Sequence, residues 1–188
     1  RDLKPGNVLL DEYLFPKIAD FGFSKDLSIA SPKASDTMGT PNFIAPEIFE
    51  DGIYTKACDV YAFSILVYEI YMKKIPFDNL NELQIIVQVP DGRRPELDDS
   101  IPICYRKLIK DCWIQDYEKR PTFDLIVKNL RENKEFITEK VDREIFYKYI
   151  KYAECQQTKP FQKYSLKKYF EELDEVEIIS SGEGFINI

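Results

Sequence analysis

Four polar residues near the start of the chain have the types and spacing to handle a charged substrate. Asp2, Lys4 and Asn7 fall close together, and Asp20 follows thirteen residues after Asn7. A carboxylate, an ammonium group and a carboxamide thus lie within one short loop. Asn7 and Asp20 offer hard oxygen donors, the kind that suits Mg²⁺. Gly22, two residues after Asp20, permits a sharp turn where a side chain would restrict the backbone. Taken alone, Asp2 and Asn7 also read as polar turn residues, so the rest of the chain decides between chemistry and simple turns.

The elements that must hold these residues are legible from pattern. Val8-Leu9-Leu10 and Lys17-Ile18-Ala19 read as two short strands between turn residues. Gly22 to Pro46 has no periodicity and reads as a long loop, a length that tends to be functional in a compact domain. Residues 56–72 are apolar on nearly all sides, which predicts a buried helix at the centre of the domain. Further helices are expected over 79–89, 103–113 and 122–134, with Pro102 and Thr122 at helix starts and turn clusters between them. Beyond 134, Ile145, Phe146, Tyr149, Ile150 and Ala153 share one helical face, as do Leu166, Tyr169, Phe170 and Leu173. The last segment is acidic, from Glu171 to Glu177.

The order of short motifs then points to a family. Arg1-Asp2-Leu3-Lys4-Pro5-Gly6-Asn7 is followed by Asp20-Phe21-Gly22, Gly39-Thr40-Pro41, Ala45-Pro46-Glu47, Asp59-Val60-Tyr61-Ala62-Phe63 and Arg120-Pro121-Thr122-Phe123. This resembles the catalytic loop, metal-binding loop and later motifs of eukaryotic protein kinases over about residues 1–134. The resemblance implies an α+β fold, mainly α here: a C-terminal lobe with two short strands and a buried central helix. It implies ATP and Mg²⁺ as cofactors and a protein carrying Ser or Thr as substrate. Asp2 would orient, or accept the proton of, the substrate hydroxyl. Lys4 would neutralise charge on the transferring phosphate, and Asn7 and Asp20 would hold the metal. Leu9, with Val8 and Leu10, would form the adenine floor, supported by Leu66 and Ile70.

The same resemblance assigns specificity and structure. Lys4 is similar to the serine/threonine kinase residue, and Thr40 to the one that bonds back to the catalytic Asp. Cys112-Trp113 and Gly92-Arg93-Arg94-Pro95 look like the tyrosine-kinase-like group, with dual specificity left open. Glu47 and Arg120 would form a buried ion pair, and Asp59 would accept hydrogen bonds from the catalytic-loop backbone. Ser64 stands where the family usually has Gly, which puts close packing there in question; Phe43 replaces the usual Tyr. Arg1 before Asp2 resembles kinases switched by phosphorylation of the loop. Candidate acceptors are Ser28, Ser31, Ser35 and Thr37, with Ser35 and Thr37 nearest the usual position. Arg1 and Lys25 would pair the phosphate, which Asp36 could partly mimic. The alternative is that these are solvated loop residues.

Composition sets outer bounds. The 188 residues are 44% hydrophobic and 31% charged, an ordinary globular balance, and the formal charge of −7 argues against a nucleic-acid or anionic-membrane partner. No run is long and apolar enough to span a bilayer. Cys58, Cys104, Cys112 and Cys155 form no CxxC pair and there is no His, so buried thiols in a reducing, cytoplasmic compartment are expected rather than zinc or disulfides. The chain opens inside a motif, without Met or signal peptide, and contains no GxGxxG. It therefore reads as a fragment: a kinase lobe over 1–134 and a helical, then acidic, extension over 135–188. Alone it is expected to transfer phosphate barely, with the activity belonging to a parent that supplies the other lobe. The rival is a pseudokinase or truncated scaffold. The extension either covers the lobe or docks a partner.

Overall fold

The computed structural model describes residues 1–11, 15–22, 39–139 and 141–157, with side chains to 154. The loop acceptors Ser28, Ser31, Ser35 and Thr37, with Lys25 and Asp36, lie outside the described residues. So do the second aromatic face at 166–173 and the acidic end.

Two strands, β1 (Val8–Leu10) and β2 (Pro16–Ile18), form an antiparallel hairpin with Val8 opposite Ile18 and Leu10 opposite Pro16. The second strand begins one residue earlier than its apolar run suggests. Proline lacks an N–H, and the first position of an edge strand needs none. Among the described residues, six α-helices follow: α1 (Pro46–Asp51), α2 (Lys56–Met72), α3 (Glu82–Gln88), α4 (Ile103–Cys112), α5 (Phe123–Glu132) and α6 (Arg143–Gln157).

Local chemistry sets their ends. Thr55 caps α2, its hydroxyl accepting from the Ala57 N–H at 3.1 Å. Asn81 caps α3 by accepting from Gln84 N–H, which starts that helix three residues later than periodicity alone suggests. Thr122 caps α5 through Leu125 N–H. Helix α1 is an element the apolar pattern does not show. Its signals are Pro46 at the first position and Gly52 just past the end, in the left-handed region at φ 65°.

Helix α2 is the centre. Val60, Tyr61, Ser64, Ile65 and Tyr68 are all buried along it. One face joins Ile44, Ile48, Ile109 and Trp113 in the larger core cluster. The opposite face contributes Val60 to a second cluster with Cys104, Leu108, Cys112, Ile126 and Phe136. A helix lined by core on two faces must be apolar nearly all round, which is the pattern its sequence carries. Ser64 is fully buried and donates to the Tyr61 carbonyl at 2.6 Å, so the hydroxyl is satisfied within the helix where glycine would have left space. No helix among the described residues is long and apolar enough to cross a membrane.

On α6, Phe146, Ile150 and Ala153 of the expected face are partly covered, while Ile145 is exposed. Tyr149 of the same face, together with Tyr152, meets Phe15 of the hairpin, at ring separations of 5.1 and 5.2 Å.

Candidate active site

Pro5 opens a single 3₁₀ turn, Pro5–Asn7, whose fixed φ folds the first loop back on itself. That turn buries Asn7 beneath Asp2. The Asn7 amide nitrogen donates to the Asp2 carbonyl at 2.7 Å and to Asp2 Oδ2 at 3.0 Å. Lys4 Nζ reaches the same Oδ2 at 2.9 Å, and the Asp2 side chain is only 5% exposed. One carboxylate oxygen therefore receives both an ammonium and an amide, which fixes the plane of the carboxyl group. Lys4 Nζ also donates to Thr40 Oγ1 at 3.1 Å. Thr40 thus meets Asp2 through Lys4, not by the direct bond that the resemblance implies; the lysine is long enough to bridge the two. Gly39, at φ 132°, lets the chain pass beside Asp2, where an added Cβ would stand 3.3 Å from Oδ1.

The hairpin carries the polypeptide from Asn7 to Asp20. Its last rung is Ala19 N–H to Asn7 carbonyl at 2.8 Å, so the residue after that rung is Asp20 itself. Asp20 sits in the left-handed region at φ 55°, and its Oδ1 accepts from the Gly22 N–H at 3.1 Å. Its carboxylate faces solvent. With the Asn7 nitrogen committed to Asp2, the carboxamide oxygen is the atom suited to a cation. Among the described residues no group of three or more His, Cys, Asp or Glu could hold a metal by itself. One carboxylate and one amide oxygen fit Mg²⁺, which takes one or two protein carboxylates and completes its shell with water and phosphate oxygens.

Residues of the expected adenine floor lie open on the surface. Leu9 is 57% exposed, Leu10 is also open, and Ile70 is 64% exposed. These residues do not pack as core beneath a floor, because no described element covers that side of the hairpin.

Behind the site lies a buried ionic network. Arg120 Nη1 meets Glu47 Oε1 at 2.7 Å and Arg120 Nη2 meets Oε2 at 2.8 Å. The remaining guanidinium donors reach the carbonyls of Ile114, Ala57 and Gln115. Cys58 Sγ donates to Glu47 Oε1 at 3.3 Å, and burial pushes this thiol up to about 12. The backbone nitrogen of Arg1 lies 3.0 Å from Asp59 Oδ1, and the Arg1 guanidinium stacks over Tyr54 at 4.3 Å. Helix α2 and the loop that carries Asp2 are thereby joined at their ends.

The sequence assigned no contacts to Arg94, Asn42 or Phe15. Arg94 donates to the carbonyls of Val89 and Trp113 and to Gln115, and lies over the Tyr61 ring at 5.1 Å, the ring that Arg120 also approaches at 5.2 Å. Asn42 donates to the Pro76 carbonyl at 2.5 Å and ties the segment after Thr40 to the loop after α2. Phe15, on which the sequence carried no signal, meets Tyr149 and Tyr152 of α6. Only the Arg-Pro string around Arg94 carried a signal, and it spoke of group, not of contacts.

The chain belongs to the protein kinase family: the family model described as protein kinase domain matches residues 1–130. A Dictyostelium discoideum protein named as a probable LIM domain-containing serine/threonine-protein kinase is 40% identical over 138 residues, covering 73% of this chain and 21% of its own length. A probable serine/threonine-protein kinase of the same organism is 35% identical over 133 residues, 69% of this chain and 18% of the relative. A dual specificity protein kinase, also from Dictyostelium discoideum, is 38% identical over 135 residues, 71% of this chain and 10% of the relative. The chain thus spans about a fifth or less of the length of these relatives.

Proposed function

We propose that this chain carries the phosphoryl-transferring and metal-holding loops of an ATP-dependent protein serine/threonine kinase of the tyrosine-kinase-like group. The observation that carries the reading is the Asp2 carboxylate held by both Lys4 and Asn7. A group so oriented can accept the proton of an incoming hydroxyl from a fixed direction. Lys4 stands where it can neutralise phosphate charge without leaving Asp2. Thr40, bonded to Lys4, sets where that ammonium points. Asn7 and Asp20 would hold Mg²⁺, whose charge would offset that of the phosphate groups. Leu9, exposed on β1, offers apolar surface for the nucleotide base.

The substrate is a protein Ser or Thr, supported by the names of the two serine/threonine relatives; the dual specificity relative keeps Tyr as an outcome to test. The kinase lobe runs over 1–134 and the extension over 135–188. Ser35 and Thr37 are the proposed regulatory acceptors on the loop, with Arg1 as the partner for their phosphate. The test is transfer from radiolabelled ATP and Mg²⁺ to a Ser/Thr protein by the product of the complete reading frame. Label on Ser or Thr that is lost in Asp2→Asn supports the reading. No transfer, with ATP bound or not, overturns it in favour of a non-catalytic scaffold.

A further inference from the structure

The hairpin is the weak point of the site. Among the described residues it has two strands, and a two-stranded hairpin is marginally stable in water unless something packs on it. All three residues of β2 are exposed, as are two of the three in β1. Yet Asn7 leads into this hairpin and Asp20 follows it, and the spacing between the two depends on the rungs between them.

The far end of the hairpin is where the support lies. Asp11 N–H donates to the Phe15 carbonyl at 3.0 Å, and Phe15 N–H donates to Asp11 Oδ1 at 2.9 Å. The Phe15 ring stacks on Tyr149 at 5.1 Å, with planes 22° apart, and tilts against Tyr152 at 5.2 Å. Tyr149 and Tyr152 are three residues apart, so they present one face of α6. On another side of the helix, Glu154 reaches Arg131 of α5 at 3.9 Å. Burial and then the charge of Asp11 push the Tyr152 phenol up, consistent with a seat beside the hairpin's turn. Helix α6 lies beyond residue 130, where the family match ends, so this contact belongs to the part of the chain outside that match.

We propose that Phe15, Tyr149 and Tyr152 are positioning residues for Asn7 and Asp20, with helix α6 acting as a brace that clamps the far end of the metal-holding hairpin. From Asp11 to Asn7 is four residues of strand, roughly 14 Å at the usual rise, so the three rings touch neither candidate ligand. They act by suppressing opening of the ladder between. The inference rests on the reading of Asn7 and Asp20 as metal-holding groups, but its test needs no nucleotide and no activity.

The experiment is amide hydrogen exchange on the full chain, comparing wild type with Tyr149→Leu/Tyr152→Leu and with Tyr149→Phe. The leucines keep apolar bulk and remove the rings. Segments 7–11 and 15–19 should exchange about tenfold faster in the double variant, the size implied by losing two aromatic pairs, while α2 amides keep their wild-type rates. Tyr149→Phe should keep wild-type exchange, because it keeps the ring. Should the double variant fail to fold, Phe15→Leu is read in the same way. Wild-type exchange in the hairpin overturns the proposal. So does an equal acceleration in α2, which would make α6 a general stabiliser of the lobe.

Discussion

Arg120 grips Glu47 with both of its terminal nitrogens, at 2.7 and 2.8 Å, across 73 positions of sequence and in a place where the two side chains are 0% and 3% exposed. The pair fastens α1 to the turn before α5. Because both charges are out of water, removing one strands the other. Glu47→Ala or Arg120→Ala should each lower the unfolding free energy by about 3–5 kcal/mol, read from urea denaturation. The double variant should cost less than the sum of the two, since it leaves no lone buried charge. Additive losses would show that the pair is not coupled.

Lys4 serves two partners and Thr40 one. Thr40→Val removes a single hydrogen bond and should slow phosphoryl transfer by about tenfold, the scale of one net hydrogen bond. Lys4→Met removes the ammonium from both Asp2 and the phosphate, and should slow it by about 10²–10³-fold. Initial rates at saturating ATP check both. Equal effects would mean that Lys4 acts only through Thr40.

Three buried thiols report on the core. Cys58, Cys104 and Cys112 are free and buried. Burial pushes Cys58 and Cys112 up to about 12 from an ordinary 9.0; Glu47 adds to the shift at Cys58 and Asp111 to that at Cys112. The fold therefore favours the protonated thiols. Their contribution to stability is complete below about pH 9 and is lost as pH rises toward 12, because the unfolded thiols ionise first. At pH 8 iodoacetamide should leave Cys58 and Cys112 unmodified in the native chain and label them in urea, as peptide mass spectrometry would show. Native labelling at the unfolded rate would contradict the described core.

How much of this was legible in the sequence follows from how local each signal is. The central helix was plain, since residues 56–72 are apolar on every side and end close to Thr55 and Lys73. Thr122 as a cap and the proline before α4 are one-residue signals and were equally readable. Helix α1 was not, because six residues carry too little period and its marks are only Pro46 and Gly52. The exposure of Leu9 and Ile70 was unreadable for a different reason. Apolar type says that a residue favours burial, not that a neighbour arrives to cover it. The bridging of Thr40 to Asp2 by Lys4 depends on a side-chain path across 36 positions, which no spacing rule encodes. Phe15 against Tyr149 and Tyr152 is likewise a contact between segments far apart in sequence.

The most direct test of the central claim is phosphoryl transfer from ATP and Mg²⁺ to a Ser/Thr protein by the product of the complete reading frame, beside its Asp2→Asn and Asp20→Asn variants. The account predicts Ser/Thr labelling by the wild type. Asp2→Asn should lower the rate by about 10²–10⁴-fold, the range for loss of a positioned proton acceptor. Asp20→Asn should weaken the dependence on Mg²⁺ as well as the rate. Transfer at the wild-type rate in either variant would contradict the assignment of Asp2 and Asp20 to the reacting centre.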